Sequence, residues 1–288
     1  MKKFQVLIIL SFFVFAAFKS DKPAYLLFTK EGKTVKYSKM LDKIKDADIV
    51  LFGESHNNPI AHWLELEVAK DLYQHKKDNL VMAAEMFETD NQLIINEYFQ
   101  NLISQSYFED EARLWPNYKT DYKPLVEFAK KNGIPFVASN IPRRYASLVN
   151  SKGFEGLEEL SNEAKAYLPP LPVAYDPNLE CYKSLLNMEG MPGHMSQNFP
   201  KAQAIKDATM AYFMLKNWKS GKQILHFNGS YHSDNFESIY WYLKKENPDL
   251  KIATITTVSQ KDVKKLTKEN TGIADFTVCV AEDMTKTQ

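Results

Sequence analysis

The stretch Asp48-Ile-Val-Leu-Phe-Gly-Glu-Ser-His56 decides the fold, because it joins a buried-strand pattern to two side chains that carry chemistry. Residues 49–52 form a short apolar run, which is typical of a strand covered on both faces. A turn that only reverses the chain needs neither a glutamate nor a histidine. Glu54 and His56 therefore indicate a functional site where this strand ends.

The same pattern of apolar runs recurs along the chain. Further strands are predicted at residues 80–86, 134–138, 224–228, 252–258 and 276–280. Amphipathic helices are predicted at residues 59–74, 121–132, 202–218 and 236–246. This alternation is typical of βα units around a parallel sheet. We therefore predict an α/β fold, with a mostly parallel central sheet flanked by helices and a smaller helical insertion.

The insertion is expected at about residues 143–201, where the alternation stops. This segment contains helical pieces together with the turn-rich sequences Leu168-Pro-Pro-Leu-Pro172 and Met188-Glu-Gly-Met-Pro-Gly-His194. A mainly helical cap over the sheet would explain both features. We assign residues 21–288 to one α/β domain that includes this insertion.

Composition excludes one class of partner. The chain has 288 residues, 44% of them hydrophobic, and its 36 basic residues equal its 36 acidic residues in number. The hydrophobic content argues against disorder, and a net charge of zero provides no electrostatic attraction for nucleic acid. We expect no nucleic-acid partner.

The first 20 residues are predicted to be a signal peptide. Lys2 and Lys3 precede an apolar run over residues 4–18, which is shorter than the roughly 20 residues of a membrane span. We expect an exported protein, periplasmic or membrane-associated, with an uncleaved anchor as the alternative. Export would permit a disulfide between Cys181 and Cys279, although two buried thiols fit the sequence equally well.

Ligand-type side chains follow four of the predicted strands. They are Glu54 and His56, then Glu85 and Glu88, then Ser139 and Asn140, and finally Asn228 and His232. The carboxyl ends of parallel strands lie along one edge of a sheet, so these groups are expected to meet in one cleft. We expect His56 and His232, each three residues after a glycine, to line the cleft, and Glu54 and Glu85 to orient them.

Two kinds of chemistry fit such a cluster. Imidazoles and carboxylates can hold a divalent metal ion whose bound water attacks an ester or amide. A histidine or tyrosine can instead ligate a haem iron, while aromatic side chains cover the porphyrin. Both chemistries are compatible with the composition.

Other histidines and methionines have simpler structural explanations. A histidine in the first turn of a helix, as His62 is, more often caps the helix or faces solvent. His75 is expected on a solvated face, and His226 is expected to be a hydrogen-bonded core residue within its strand. Met210 and Met214 form a helical stripe that is expected to pack on the sheet.

A set of motifs between residues 48 and 243 carries a family resemblance. The motifs are Leu51-Phe-Gly-Glu-Ser-His-Asn-Asn-Pro-Ile-Ala-His62, Ala84-Glu-Met-Phe-Glu88, Gln92, Trp115, Tyr122-Lys-Pro-Leu125, Ala138-Ser-Asn-Ile-Pro-Arg143, His194, Gln203, Asp207-Ala-Thr-Met-Ala211 and Asn228-Gly-Ser-Tyr-His232. In order and spacing they resemble the ChaN-type haem-binding uptake family of the Tiki/erythromycin-esterase superfamily.

The resemblance implies an exported protein that binds haem and acts in haem or iron acquisition. It implies tyrosine ligation of the iron, with Tyr145 as the first candidate and Tyr231 as the second. A homodimer with two haems stacked at its interface, and an outer-membrane haem receptor, are further expected partners. The residues expected at the haem site are Glu54, His56, His62, Glu85, Asn140, Arg143, Tyr145, His194, Tyr231 and His232, with Phe87, Trp115 and Tyr118 adding apolar surface.

The same superfamily also implies a metal-dependent hydrolase, an esterase or peptidase, as the alternative. Glu54, His56, Glu85 and His232 would then be the catalytic residues. Glu54 or His56 would activate water, and His232 would stabilise or protonate the reacting group. A third interpretation is an interaction protein whose cleft is a remnant. We favour the haem-binding, non-enzymatic protein.

Overall fold

The computed structural model describes residues 22–186 and 197–287. The strands in these ranges are β1 (Tyr25–Thr29), β2 (Ile49–Glu54), β3 (Leu80–Glu88), β4 (Phe136–Asn140), β5 (Gln223–Gly229), β6 (Ile252–Gln260) and β7 (Phe276–Ala281). The α-helices are α1 (Tyr37–Ile44), α2 (Pro59–Lys76), α3 (Gln92–Phe99), α4 (Gln105–Glu111), α5 (Lys123–Asn132), α6 (Arg143–Lys152), α7 (Asn162–Lys165), α8 (Glu180–Lys183), α9 (Phe199–Asn217) and α10 (Ile239–Glu246). The predicted signal peptide lies outside these residues and stays a prediction.

The strands form one sheet in the order β1-β7-β6-β2-β5-β3-β4. β1 runs antiparallel to β7, and all other neighbours are parallel. This confirms the predicted α/β fold with a mostly parallel sheet. Because β5 lies between β2 and β3, the carboxyl ends of β2 and β5 are adjacent, although the two strands are far apart in sequence.

Alternate residues of each strand face opposite helical layers. In β2, Val50 and Phe52 pack towards α1 to α5, whereas Ile49 and Leu51 pack towards α9 and α10. Successive side chains of a strand point to opposite faces, so a strand covered on both sides reads as a continuous apolar run. The apolar runs in the sequence therefore reflect the burial of the strands on both faces of the sheet.

The segment predicted as a helical insertion contains short helices in its described part. α6, α7 and α8 lie here, and residues of α6 pack with the first turns of α9 in an apolar cluster beside the sheet. Ile141, Val149, Leu157 and Ile205 are its buried centre. His194 lies outside the described residues, and the division into domain and insertion stays a prediction.

One free edge of the sheet is occupied by a side chain. β4 is the last strand, and the Gln92 carboxamide at the start of α3 bonds it twice. Gln92 Nε2 donates to the Phe136 oxygen at 2.9 Å, and the Ala138 N–H donates to Gln92 Oε1 at 2.8 Å. The carboxamide thus takes the place of a peptide group in a neighbouring strand.

Two further findings concern the cysteines and the helices. Cys181 and Cys279 are both buried free thiols in separate apolar clusters, so the free-thiol alternative is the one observed. Within residues 22–186 and 197–287, no helix combines the length and the apolar character needed to cross a bilayer.

Candidate functional site

The adjacent ends of β2, β5 and β3 place two buried carboxylates on opposite faces of the sheet. Glu54 follows Val50 and Phe52 in the alternation of β2 and points to the α2 side. Glu85 in β3 points to the α9 side, where it meets His232. The strand alternation therefore separates the two acids and gives each its own partners.

Glu54 holds His56 at the surface of the cleft. Glu54 Oε1 lies 2.7 Å from His56 Nδ1 and accepts a hydrogen bond from the Tyr122 hydroxyl at 2.6 Å. The His56 side chain is 48% exposed, and its ring meets Trp115 edge-on at 4.8 Å between centroids. Burial lowers the pKa of His56, but the hydrogen bond to Glu54 and the charges of Glu85 and Glu54 together outweigh it, so the pKa is raised. Nε2 is the ring nitrogen that Glu54 does not hold.

His232 is buried and held at both ring nitrogens. Nδ1 lies 2.6 Å from Asp207 Oδ1, and Nε2 lies 3.3 Å from Glu85 Oε1. The Tyr182 hydroxyl donates to the other oxygen of Asp207 at 2.7 Å. Burial opposes protonation, but the charges of Glu85 and Asp207 raise the pKa of His232 to about 10. His232 is therefore an imidazolium clamped between two carboxylates.

Glu85 is ionised by the same contacts. The Gly229 N–H donates to Glu85 Oε2 at 2.7 Å. Burial would raise the pKa of Glu85, but the charge of His232 and this backbone hydrogen bond hold it well below its ordinary value. Burial raises the pKa of Asp207, and His232 offsets part of that rise.

The glycines of the two motifs are needed because each motif packs against the other. A Cβ added at Gly53 would lie 2.9 Å from Ser230 Cα, and one at Gly229 would lie 2.7 Å from His56 Cε1. Glycine therefore stands where the end of β2 contacts the end of β5.

His62 is buried rather than a surface or capping residue, so that expectation is wrong. Its Nδ1 lies 3.2 Å from Glu54 Oε2 and 3.0 Å from Glu65 Oε2. The cap of α2 is supplied instead by Asn58, whose side chain accepts from two backbone N–H groups. Burial and the neighbouring Glu54 raise the pKa of Glu65 well above its ordinary value. The first turn of α2 thus points His62 into the molecule.

The other structural explanations from the sequence are confirmed. His226 is fully buried between Ser139 Oγ at 2.9 Å and Asn228 Oδ1 at 3.0 Å, and burial lowers its pKa to about 4. His75 is exposed. Met210 and Met214 pack against the sheet.

An open groove is lined in part by Trp115, whose ring contacts His56. Its volume is about 590 Å³, and its lining residues are Glu88, Arg113, Leu114, Trp115, Pro116, Arg143 and Arg144. Arg113 pairs with Glu88 Oε2 at 3.0 Å and also with Asp90. Arg144 pairs with Asp90 Oδ2 at 2.6 Å. The groove therefore combines an indole, aliphatic surface and three guanidinium groups.

The two candidate tyrosines differ in what their hydroxyls contact. Tyr145 is half-buried at the start of α6, its ring lies under the Arg144 guanidinium at 4.5 Å, and its hydroxyl accepts from Arg144 Nη2 at 3.3 Å. The Tyr231 hydroxyl donates to the Cys181 oxygen. Tyr145 therefore adjoins the groove through Arg144, whereas Tyr231 is bonded to the α8 side.

Several expected contact residues lie elsewhere. Phe87 and Tyr118 are buried in the main core, where they pack against each other edge-on. They cannot offer surface to a ligand, so that expectation is wrong. Asn140 is buried, and its Oδ1 has no hydrogen-bond partner among the described residues. Arg143 is exposed and lines the groove.

Three side chains of the site were given no role in the sequence analysis. They are Asp207, Tyr182 and Glu65, each buried and each bonded to a residue of the site. The sequence signal that could have identified Asp207 and Glu65 was an acidic residue on an apolar face of a helix. Asp207 lies one helical turn from Ala204 and Ala211, and Glu65 lies one helical turn from Ala61 and Val68.

The chain is similar to a known family and to a solved structure. The model of a family described as "Haem-binding uptake, Tiki superfamily, ChaN" matches residues 40–243. A structure described as cofacial haem binding to ChaN of Campylobacter jejuni superposes with a TM-score of 0.65 at 15% identity, over 88% of this chain and 96% of that one. This shows a shared fold.

Two further proteins are similar to parts of the chain. RETICULATA-RELATED 5, a chloroplastic protein of Arabidopsis thaliana, is 26% identical over an alignment of 188 residues that covers 61% of this chain and 25% of the plant protein. The chain thus spans about a quarter of that relative. An erythromycin esterase, EreC, in its open conformation matches with a TM-score of 0.47 at 10% identity, over 88% of this chain and 83% of that one.

Proposed function

The chain belongs to the ChaN haem-binding uptake family of the Tiki superfamily, and we propose that it is an exported protein that takes haem into the groove beside His56 for haem or iron acquisition. Haem is the ligand of the family. The location of the haem, the export and the role in acquisition are the content of the proposal.

The composition of the groove carries the proposal. Haem is a flat apolar ring with two anionic propionates. Trp115, Leu114 and Pro116 offer the apolar surface, and the exposed Arg143 offers a positive charge, while Arg113 and Arg144 are paired with Glu88 and Asp90. Its volume of about 590 Å³ lies within the usual range of cofactor sites. The residues present therefore fit the group.

Two side chains at the groove could bind the iron. The Tyr145 hydroxyl accepts a hydrogen bond from Arg144, and a tyrosine oxygen is a known ligand of haem iron. His56 offers Nε2 while Glu54 holds Nδ1, which is the usual arrangement of a ligating histidine. We assign Tyr145 as the ligand and His56 as a residue lining the haem face. When bound, haem supplies an iron with a ligand position for this tyrosine.

We extend the proposal to the partners. An open groove leaves one face of a bound haem exposed, and a second haem carried by a second copy of the chain would cover that face. The Campylobacter protein, described as binding haem cofacially, supports this arrangement. The donor or acceptor of the haem would be an outer-membrane haem receptor.

A haem titration of the purified chain, followed by absorbance, tests the proposal. We expect a saturable shift of the Soret band, a changed visible spectrum in Tyr145→Phe, and affinity lowered about 10-fold or more in Arg143→Ala. Size-exclusion chromatography with light scattering should show a dimer only with haem. Tyr107→Phe, which changes an exposed tyrosine of α4, is the matched control and should titrate as the wild type does.

A second function is supported by one observation, the Glu54–His56 pair at the cleft surface. Such a pair can transfer a proton in ester or peptide hydrolysis. His232 fits that chemistry poorly, because both its ring nitrogens are held by carboxylates. An unsaturable Soret response, together with ester hydrolysis that His56→Ala abolishes, would replace the haem proposal by the hydrolase.

A further inference from the structure

A second cluster of ligand-type side chains lies below the cleft, between the end of β2 and α2. Glu54, His62 and Glu65 are 1%, 5% and 0% exposed. His62 and Glu65 are three residues apart in α2 and therefore share a helical face. One ligand atom from each of the three residues lies within 4.8 Å of the others.

The distances between these atoms match those of a metal site. His62 Nδ1 lies 3.2 Å from Glu54 Oε2 and 3.0 Å from Glu65 Oε2. Protein nitrogen and oxygen ligands lie about 2.0–2.2 Å from a first-row metal ion, which puts neighbouring ligands about 3.0–3.5 Å apart. Little movement of the side chains would be needed to bind an ion.

The hydrogen bonding of His62 gives a second, independent argument. His62 Nε2 lies 3.1 Å from the backbone oxygen of His56, and a carbonyl can only accept, so Nε2 carries a proton. In the neutral imidazole, Nδ1 then presents a lone pair to two carboxylates. Either a further proton or a cation must lie between them. Metal-bound histidines usually donate their other N–H to a carbonyl or carboxylate, as here.

Carboxylate oxygens without hydrogen bonds in the cluster also favour a bound cation. Glu65 Oε1 is buried and has no hydrogen-bond donor among residues 22–186 and 197–287, and Glu54 Oε2 forms no hydrogen bond there, although His62 Nδ1 lies 3.2 Å away. A buried carboxylate oxygen without a donor is costly. A divalent cation beside a neutral His62 would balance the charges of Glu54 and Glu65, taking the place of the protons that otherwise neutralise the cluster.

We propose that Glu54, His62 and Glu65 bind one divalent first-row metal ion, such as Zn²⁺, Mn²⁺ or Fe²⁺. One imidazole and two carboxylates suit these ions. The site is distinct from the groove and does not depend on the haem proposal. It is linked to the cleft through Glu54, which faces the ion with Oε2 and holds His56 with Oε1. Metal binding would therefore influence the charge on His56.

A Co²⁺ titration of the haem-free chain, after treatment with a chelator, tests the site. We expect saturable visible d–d absorption that Zn²⁺ displaces stoichiometrically. Glu65→Gln should weaken Co²⁺ binding at least about 100-fold. Glu67→Gln is the matched control, because Glu67 lies on the same helix and pairs with Lys70 away from the cluster. The control should bind Co²⁺ as the wild type does.

Two results would overturn the proposal. One is a wild-type chain without saturable Co²⁺ absorption, which would leave a proton in the place of the ion. The other is equal affinity in Glu65→Gln and Glu67→Gln. X-ray absorption of the Zn²⁺-loaded wild type requires no variant: one imidazole with oxygen ligands supports the site, and a sulfur ligand or several imidazoles contradicts it.

Discussion

His56 and His232 occupy equivalent places in two similar motifs, yet their surroundings are opposite. His56 is half-exposed, is held by Glu54 at one ring nitrogen and rests its ring against Trp115. His232 is buried and is held at both nitrogens by Asp207 and Glu85. The glycine three residues before each histidine allows the two motifs to pack closely. It does not determine the role of the histidine.

The difference separates a group that can meet a ligand from one that supports the site. Both nitrogens of His232 are engaged, so His232 acts by fixing the position and charge of Glu85. His56 keeps Nε2 for the cleft. The two motifs are similar in sequence, which suggested equivalent roles for their histidines. In the structure the two histidines have different surroundings and different roles.

The largest expected effect is on stability. His232→Ala leaves Asp207 and Glu85 buried without their cation and should lower the free energy of unfolding by about 3–5 kcal/mol. His56→Ala should cost about 1 kcal/mol or less, because Glu54 keeps Tyr122 and His62. Urea unfolding followed by circular dichroism measures both. His75→Ala, at an exposed site, is the control. Equal losses of stability in His232→Ala and His56→Ala would contradict the different roles of the two histidines.

The second effect is an alkaline loss of stability. Folding raises the pKa of His232 from its ordinary 6.5 to about 10, so its contribution is complete below pH 6.5 and is lost as the pH rises towards 10. The free energy of unfolding should fall by about 2–4 kcal/mol over this interval. His232→Gln should lack this part of the fall. Parallel curves for both proteins would contradict a charged His232.

The smallest effect concerns the glycines. Gly53→Ala should lower the free energy of unfolding by about 1–3 kcal/mol, because its Cβ would meet the buried backbone at Ser230. Gly229→Ala would meet only the tip of the His56 ring, which can swing towards solvent. It should cost about 1 kcal/mol or less and yet weaken haem binding about tenfold. A larger loss of stability in Gly229→Ala than in Gly53→Ala would contradict the packing explanation.

Much of the fold could be predicted from the sequence, because burial on both faces leaves continuous apolar runs. The run that ends at Glu54 and the one that ends at Gly229 were placed to within two residues. The placement of Glu54, His56, Glu85 and His232 at neighbouring strand ends also followed from the parallel order of the strands, although strand alternation puts the two acids on opposite faces of the sheet. Strand ends are local features, and a parallel sheet brings them together.

The partners of these residues could not be predicted, because they depend on which helical layer each strand residue faces. Asp207 reaches His232 only because α9 packs on the face to which Glu85 points. The burial of His62 depends on how α2 lies across the end of β2. Neither relation is periodic in sequence. The assignment of Phe87 and Tyr118 to ligand contact failed because aromatic residues near a site and in a core look alike.

The carboxamide of Gln92 on the edge of β4 has a consequence for the behaviour of the protein in concentrated solution. A bare edge strand is a template on which a second molecule can add its own strand, and sheets then grow from chain to chain. Gln92 occupies the Phe136 oxygen and the Ala138 N–H that such an addition would use. A single side chain thus protects the chain against self-association through this edge, without a further strand.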